Sequence, residues 1–557
     1  MRPDRLFDLR VPMADGVQLS TDVVLPGTTG TWPAVLIRTP YSKVSDRILS
    51  WADYLADFGY AVVAQDVRGR GDSDGSWEPW INEFGDGHDA VEWIAAQPWC
   101  TGRVGMLGGS YEAWVQWAAA SRQPAHLAAM VTSGSPGRWF RDWPYRFGAF
   151  YAADYLEWLN RTAGRVVQPV PFPSWAWMID HPDLRSIDAD TGRPLESWQA
   201  ALDHDTYDSY WHSLDITGYE RMDIPVLHLT GWFDACAPGE YHHYRELRER
   251  SLAGHRQSFV IGPWDHGGAV VTGDVVEGDL AIGAKGTVDI RVLWERWFAR
   301  WLKGDSAGEL GSPVRYFCLG SNTWHEADSW PPSASQEHTL YLHGDGTVRQ
   351  EPAQDSTTRD YQYDPADPVL SMVSLHNRDR LEWAPRSTML IDRRPDVLRY
   401  AGAPVTGPLT IAGPVHAVVF AATTGPDTDF VVSLSYVRAD GTGTIVSDGI
   451  VRAAMRDSLT EPALLEPGEI YEFSIELNDI SLRLAPGESL GVAISSSLAP
   501  NYHPNPNTGL GYGGDAAPAV VRQTVFHGGS YPSRLVLTVL EPGQNDDRSS
   551  SAAEAAP

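Results

Sequence analysis

Polar and apolar positions along this chain fall into three textures. In the first, short apolar runs alternate with amphipathic stretches: WPAVLIR (32–38), YAVVAQD (60–66), RVGMLG (103–108), LAAMVTSG (127–134), IPVLHLTG (224–231) and QSFVIGP (257–263). Each run is rich in Val, Ile and Leu and is flanked by Gly, Pro or Asp, as strands buried on both faces of a parallel sheet are. Helical spacing lies between them, around 50–58, 86–96, 111–121, 240–252 and 288–303. Strand, helix and strand in turn predict a doubly wound parallel sheet, an α/β fold built from residues 1–143 and 222–332.

Residues 144–221 break that rhythm with a run of aromatics, Trp158, Trp175, Trp198 and Trp211 among them, and no stretch that reads as a central strand. This predicts a mostly helical insertion, a cap over the carboxyl edge of the sheet, with most of those aromatics filling the cap's own core. From 333 to 543 short alternating strands such as HAVVFAATT (416–424), IYEFSIEL (470–477) and SLGVAISSS (489–497) are separated by Gly, Pro and Asp turns. That texture predicts a carboxyl-terminal all-β sandwich of jelly-roll type. The tail QNDDRSSSAAEAAP (544–557) reads as disordered.

Composition narrows the partners. A chain of 557 residues, 43% hydrophobic and 21% charged, is ordinary globular material for more than one core. Its 43 basic against 72 acidic residues leave a net charge of −29, which repels phosphate backbones and anionic lipid, so neither nucleic acid nor a membrane is an expected partner. A homo-oligomer is left open. Cys100, Cys236 and Cys318 form no CxxC pair, so neither a metal nor another cofactor is expected. The amino terminus lacks the apolar core of a secretory signal, and no apolar run approaches the roughly 18 residues that span a bilayer, so the expected location is cytoplasmic.

Candidate chemistry begins at RVGMLGGSYEAWVQWAAA (103–120), where a strand ends on Gly108-Gly109, Ser110 follows and a helix starts at once. Strand, Gly-x-Ser and helix describe a nucleophile elbow, with Glu112 standing where the Gly-x-Ser-x-Gly pattern has its last glycine. A serine nucleophile needs a base, and the base an orienting carboxylate, which in this fold follow later in the chain at strand ends. IPVLHLTG leads into Trp232-Phe233-Asp234 and QSFVIGP into Trp264-Asp265-His266, so Asp234 is the predicted acid and His266 the predicted base. Asp265 is the competing acid, disfavoured because loop neighbours seldom face one another. An acyl-transfer site also needs an oxyanion hole, for which the Tyr111 backbone N–H and the Tyr41 phenol, on the loop after the first buried strand, are the candidates. Adjacent His242 and His243 do not share a helix face and are not expected to bind metal, and the acids of DVRGRGDSDG (66–75) read as a loop held by salt bridges.

These motifs carry a resemblance. RTPYSK (38–43), DVRGRGDSDG (66–75), EWIAAQPWCTGRVGMLGGSYEAWVQWAAA (92–120), TGWFDA (230–235) and GPWDHGG (262–268) resemble, in this order, the cocaine esterase / X-Pro dipeptidyl peptidase family of serine hydrolases. The likeness continues through PVRYFCLGSNTWHEADSWPP (313–332), DTDFVVSLSYVRADG (427–441) and ISSSLAPNYHPNPNTG (494–509). It implies an α/β-hydrolase domain, a helical cap and a jelly roll, with the family's nucleophile on Ser110, its acid on Asp234, its base on His266 and its oxyanion donors on Tyr41 and Tyr111. It also implies a substrate pocket walled in part by Phe233 and by Cys236, where cocaine-esterase-like members carry an aromatic residue. Members acting on α-amino acid esters have acidic residues just beyond the catalytic Asp; here Ala235-Cys236-Ala237 carries none, which argues against recognition of an α-amine at that place.

The expected function is a serine hydrolase that cleaves an ester or amide of a small acyl compound through an acyl-enzyme. The alternatives are an acyltransferase that uses the same intermediate and an inactive binding protein that keeps the scaffold.

Overall fold

The computed structural model describes residues 4–168, 174–181, 183–269, 272–371, 385–512 and 516–540, so the segment expected to be disordered, 544–557, lies outside the described residues. Ten strands make one sheet. In chain order they are β1 (Asp4–Pro12), β2 (Gln18–Leu25), β3 (Trp32–Thr39), β4 (Ala61–Asp66), β5 (Cys100–Gly109), β6 (Leu127–Ser133), β7 (Val226–Phe233), β8 (Gln257–Asp265), β9 (Val314–Cys318) and β10 (Thr323–Ala327). They lie in the order β1-β2-β4-β3-β5-β6-β7-β8-β9-β10. Every pairing from β4 through β9 is parallel, and an antiparallel strand or pair closes each edge. β4 and β7 are buried along their whole length, which is why their sequences show no polar alternation.

Helices α1 (Asp46–Asp57), α2 (Glu83–Ala95), α3 (Tyr111–Ser121), α5 (Ala237–Arg250) and α6 (Ile290–Phe298) join these strands, with α4 lying in the insertion described next. α1 starts four residues before the predicted 50, because Ser45 caps it by accepting the Ile48 N–H. The predicted helix over 288–303 is α-helical to Phe298 and then widens into a π-helical turn, Ala299–Lys303, ended by Gly304 at φ 76°. α3 shows little amphipathic pattern since both of its faces are covered: Trp114 and Trp117 have no exposed surface.

Between β6 and β7 the chain makes α4 (Ala152–Thr162) and the shorter helices Trp175–Ile179, Ile187–Asp190, Glu196–Asp203 and Ser209–His212, the helical cap. From Ser335 onward, strands up to Arg534–Leu540 form a second, 13-stranded assembly paired almost wholly antiparallel, the jelly-roll domain. This domain grips the stretch just before α4. Arg146 Nη1 donates to Asn478 Oδ1 at 2.8 Å, Arg452 N–H to Phe147 O at 3.0 Å, Phe150 N–H to the Tyr512 hydroxyl at 3.1 Å and His503 N–H to Phe150 O at 2.9 Å. Tyr151 and Tyr502 share a hydroxyl pair at 3.0 Å. Among the described residues, no helix is long and apolar enough to cross a membrane.

Candidate active site

β5 runs out at Gly109 and α3 begins at Tyr111, so Ser110 must turn the chain through φ 60°, ψ −127°, a conformation that L-residues pay for with strain. The close approach of strand and helix depends on Gly108: a Cβ there would sit 2.4 Å from Glu112 Cβ and 2.9 Å from Glu112 O. The Ser110 N–H is tied to Ser133 O at 2.8 Å, and its carbonyl receives the Ala113 and Trp114 N–H groups. Tyr111 N–H, in the first turn of α3, has no acceptor among the described residues.

β7 and β8 end beside this turn and deliver the next two groups. His266 Nε2 lies 2.9 Å from Ser110 Oγ, and His266 Nδ1 lies 2.7 Å from Asp234 Oδ1. Asp234 is buried; its Oδ1 also accepts the Cys236 N–H at 2.8 Å and its Oδ2 the Thr230 hydroxyl at 3.3 Å. Gly134, at φ 53°, makes room for it, since a Cβ at that position would stand 2.1 Å from Asp234 Oδ2. Burial by itself would lower the imidazole pKa of His266; the charge and hydrogen bond of Asp234, with the neighbouring Cys236, outweigh it and hold the ring well above 6.5. Burial pushes the Cys236 thiol up to about 11, so it stays protonated. One ligand atom each from Asp234, Cys236 and His266 falls within 4.8 Å of the others, a set able to hold a metal ion, although the carboxylate and imidazole are already bonded to each other. Asp265 borders the same cavity without bonding His266: its carboxylate accepts the Gly267 N–H at 2.6 Å, and after burial its charge is the second cause that raises Glu277 to about 8.

Tyr41 follows β3 on a loop whose Ser42 sits at φ 94°. Its N–H donates to Thr39 Oγ1 at 3.0 Å, and its phenol oxygen accepts Trp158 Nε1–H, also at 3.0 Å. Tyr41, Ser110, Asp234, Cys236 and His266 all line one cavity of about 1050 Å³ between the sheet and the cap. Phe233 does not line it: the last residue of β7 is buried in the hydrophobic core, which corrects the expectation of a pocket wall there. Trp232 and Phe233 at the end of the strand both pack into that core, and the chain rejoins the cavity wall at Asp234. Tyr111 is fully buried, its hydroxyl donating to Glu83 Oε1 at 2.8 Å, so only its backbone concerns the cavity.

Several groups escaped the sequence reading. Glu112, the departure from the elbow pattern, also lines the cavity; its carboxylate accepts the Thr39 hydroxyl at 2.7 Å and Arg47 Nη1 at 2.8 Å. Trp158 and Asp154, four residues apart on α4, face the cavity too, and that i, i+4 spacing is the signal that one helix face was shared. In the loop 66–75, Arg68 pairs with Asp86 at 2.6 Å, but Asp66 caps backbone: its Oδ1 accepts Lys43 N–H at 2.8 Å. His243 is packed inside the molecule, 2.8 Å from the Tyr219 hydroxyl.

Fold and geometry together define the class: an α/β-hydrolase that acts as a serine hydrolase. The family described as X-Pro dipeptidyl-peptidase (S15 family) matches residues 15–268, and the X-Pro dipeptidyl-peptidase C-terminal non-catalytic domain matches residues 308–536. The cocaine esterase of Rhodococcus sp. (strain MB1 Bresler) is 30% identical over 96% of this chain and 98% of its own. A putative serine esterase of Mycobacterium bovis is 25% identical over 96% of this chain and 95% of its own. Among solved structures, an aminopeptidase from the marine sediment archaeon Thaumarchaeota archaeon superposes with a TM-score of 0.87 at 26% identity, covering 97% of both chains. An α-amino acid ester hydrolase superposes with a TM-score of 0.86 at 25% identity, covering 96% of both. The chain belongs to this S15 family of X-Pro dipeptidyl peptidases and cocaine-esterase-like serine hydrolases.

Proposed function

We propose that the protein hydrolyses an ester or amide of a small acyl compound through an acyl-enzyme on Ser110. The observation that carries this reading is the unbroken line from Ser110 Oγ through His266 to Asp234, at 2.9 and 2.7 Å, with the serine held on a strained turn at a cavity wall. Asp234 accepts a hydrogen bond from His266 Nδ1–H, which leaves Nε2 free to accept the Ser110 proton as Oγ attacks the carbonyl carbon. The imidazolium so formed is stabilised by the Asp234 charge. The tetrahedral oxyanion is held by the Tyr41 hydroxyl and the Tyr111 N–H, each worth about 3–4 kcal/mol of barrier if typical of such donors. His266 returns its proton to the leaving oxygen or nitrogen, then draws one from water, whose attack frees the acid. The names of the relatives point to the same acyl chemistry, on a cocaine ester, α-amino acid esters and peptides.

A fluorophosphonate probe tests the nucleophile, and an aryl ester tests the intermediate. The parent protein should label at Ser110 and release one equivalent of phenol in a pre-steady-state burst; Ser110→Ala should do neither. Labelling at another residue, or a burst that survives in Ser110→Ala, overturns the reading.

A further inference from the structure

Tyr41 has one phenolic proton and two lone pairs, and as an oxyanion donor it is useful only while that proton points into the cavity. The geometry points to Trp158 as the residue that keeps it there, an inference that rests on the reading of Tyr41 as an oxyanion donor. An indole N–H can only donate, so its 3.0 Å bond to the phenol oxygen occupies the acceptor side of Tyr41 and sends the O–H elsewhere. Of the carboxylates facing this cavity, Glu112 has its oxygens engaged by Thr39 and Arg47, and Asp154 accepts the Trp143 Nε1–H at 2.9 Å. A donor on the phenol oxygen also polarises the O–H bond, so the same contact strengthens the hydrogen bond that Tyr41 gives.

Trp158 is itself held. It stacks on Trp80 at 5.4 Å and on Tyr111 at 6.0 Å, and meets Trp143 edge-on at 5.8 Å. Its carbonyl accepts the Thr162 hydroxyl one turn along α4 at 2.8 Å. One ring therefore supports both halves of the oxyanion hole, the Tyr41 hydroxyl through its N–H and the residue that offers the Tyr111 N–H through its face. Trp158 acts through Tyr41, which makes it a positioning residue rather than a catalytic one.

A double-mutant cycle on a neutral aryl ester tests this, with kcat read beside the binding of an unreactive substrate analogue. Trp158→Phe keeps a ring but loses the N–H, and should lower kcat about 5-fold, the worth of one hydrogen bond, while analogue affinity changes less. In a Tyr41→Phe background the same change should lower kcat no further. Should the Phe variant fold poorly, replacing Trp158 by its benzothienyl isostere removes only the N–H and should reproduce the effect. Full kcat in either Trp158 variant, or losses that multiply with that of Tyr41→Phe, overturns the inference and leaves the acyl-enzyme reading standing. An unchanged kcat in Tyr41→Phe alone would instead remove Tyr41 from the oxyanion hole, and this inference with it.

Discussion

His266 and His243 each lie beside a hydroxyl group, yet their surroundings push the two imidazoles in opposite directions. His266 has a third of its side chain exposed to the cavity and bonds to a buried carboxylate whose charge raises its pKa. His243 has no exposed surface; it lies between the Tyr219 hydroxyl at 2.8 Å and Pro136 O at 3.0 Å, with Trp117 stacked on it at 4.3 Å. Burial first, then the neighbouring His242, drives its pKa down to about 3. The carbonyl of Pro136 can only accept, so His243 carries its proton on Nε2 and accepts a hydrogen bond from the Tyr219 O–H on Nδ1. A carboxylate is close by as well: Glu240 bonds His228 at 2.7 Å, the Thr132 hydroxyl at 2.6 Å and the Ser135 N–H at 3.0 Å. Serine, histidine and acid thus gather a second time, with the Ser135 hydroxyl 3.4 Å from His243 Nε2, but here the carboxylate bonds His228 and not His243. In the inner set each polar atom has a partner that stays put, and no reactant can enter; in the outer set the serine is strained and the imidazole faces open space.

The largest test of that contrast is a pair of alanine variants. Ser110→Ala should cut kcat/KM by about 10⁴-fold or more and leave the melting temperature near that of the parent. Ser135→Ala should do the reverse, keeping activity within about 2-fold while lowering stability by about 1–2 kcal/mol through loss of the hydroxyl's contacts with Pro136 O at 2.9 Å and His243 Nε2 at 3.4 Å. Comparable activity losses in the two variants would erase the distinction.

Next in size is the pH dependence. His266 must be neutral to accept a proton, so kcat/KM should rise with pH through an apparent pKa above 6.5. Asp234→Asn should lower both the plateau, by up to about 10⁴-fold, and the pKa, since the cause of its rise is gone. The linked stability has a fixed sign: charged His266 favours the folded state below pH 6.5, and that contribution fades as pH climbs through the raised value. A parent profile flat from pH 5 to 8 would place the base elsewhere.

The smallest effect concerns the open side of the outer set. Cys236 lines the cavity beside His266 as a protonated thiol. Cys236→Phe should narrow the site and shift selectivity several-fold toward short acyl chains, measured as kcat/KM across an acyl-length series. Overpacking costs about 1–3 kcal/mol, so melting is followed in parallel. A stable Phe variant with the parent's selectivity would show that acyl groups bind away from this wall.

The parallel strands were readable because burial on both faces removes polar alternation, as in AVVAQD and VLHLTGWF. Asp234 and His266 could be named because each directly follows such a run, and strand ends in this fold share one edge. β1 escaped because it is an edge strand, half exposed and interrupted by charges, with Phe7 in the open. Phe233 departs from expectation because the end of β7, Trp232 included, stays packed in the core. In the cap, spacing alone does not separate Trp198 and Trp211, buried in the core, from Trp175, which lines the cavity: helices of four to eight residues give too few turns for a face to declare itself.

The grip of the jelly roll on residues 146–151 has a consequence for traffic. A cap helix whose leading end is bonded to a second domain has no free hinge there, so it is poorly suited to swing open as a lid. With that end of α4 held, entry to Ser110 should depend on the girth of the reactant more than on a swing of this helix. Slim and bulky esters of equal intrinsic reactivity should therefore part company in kcat/KM, while added viscogen, which slows a moving lid, should matter only for those already limited by encounter.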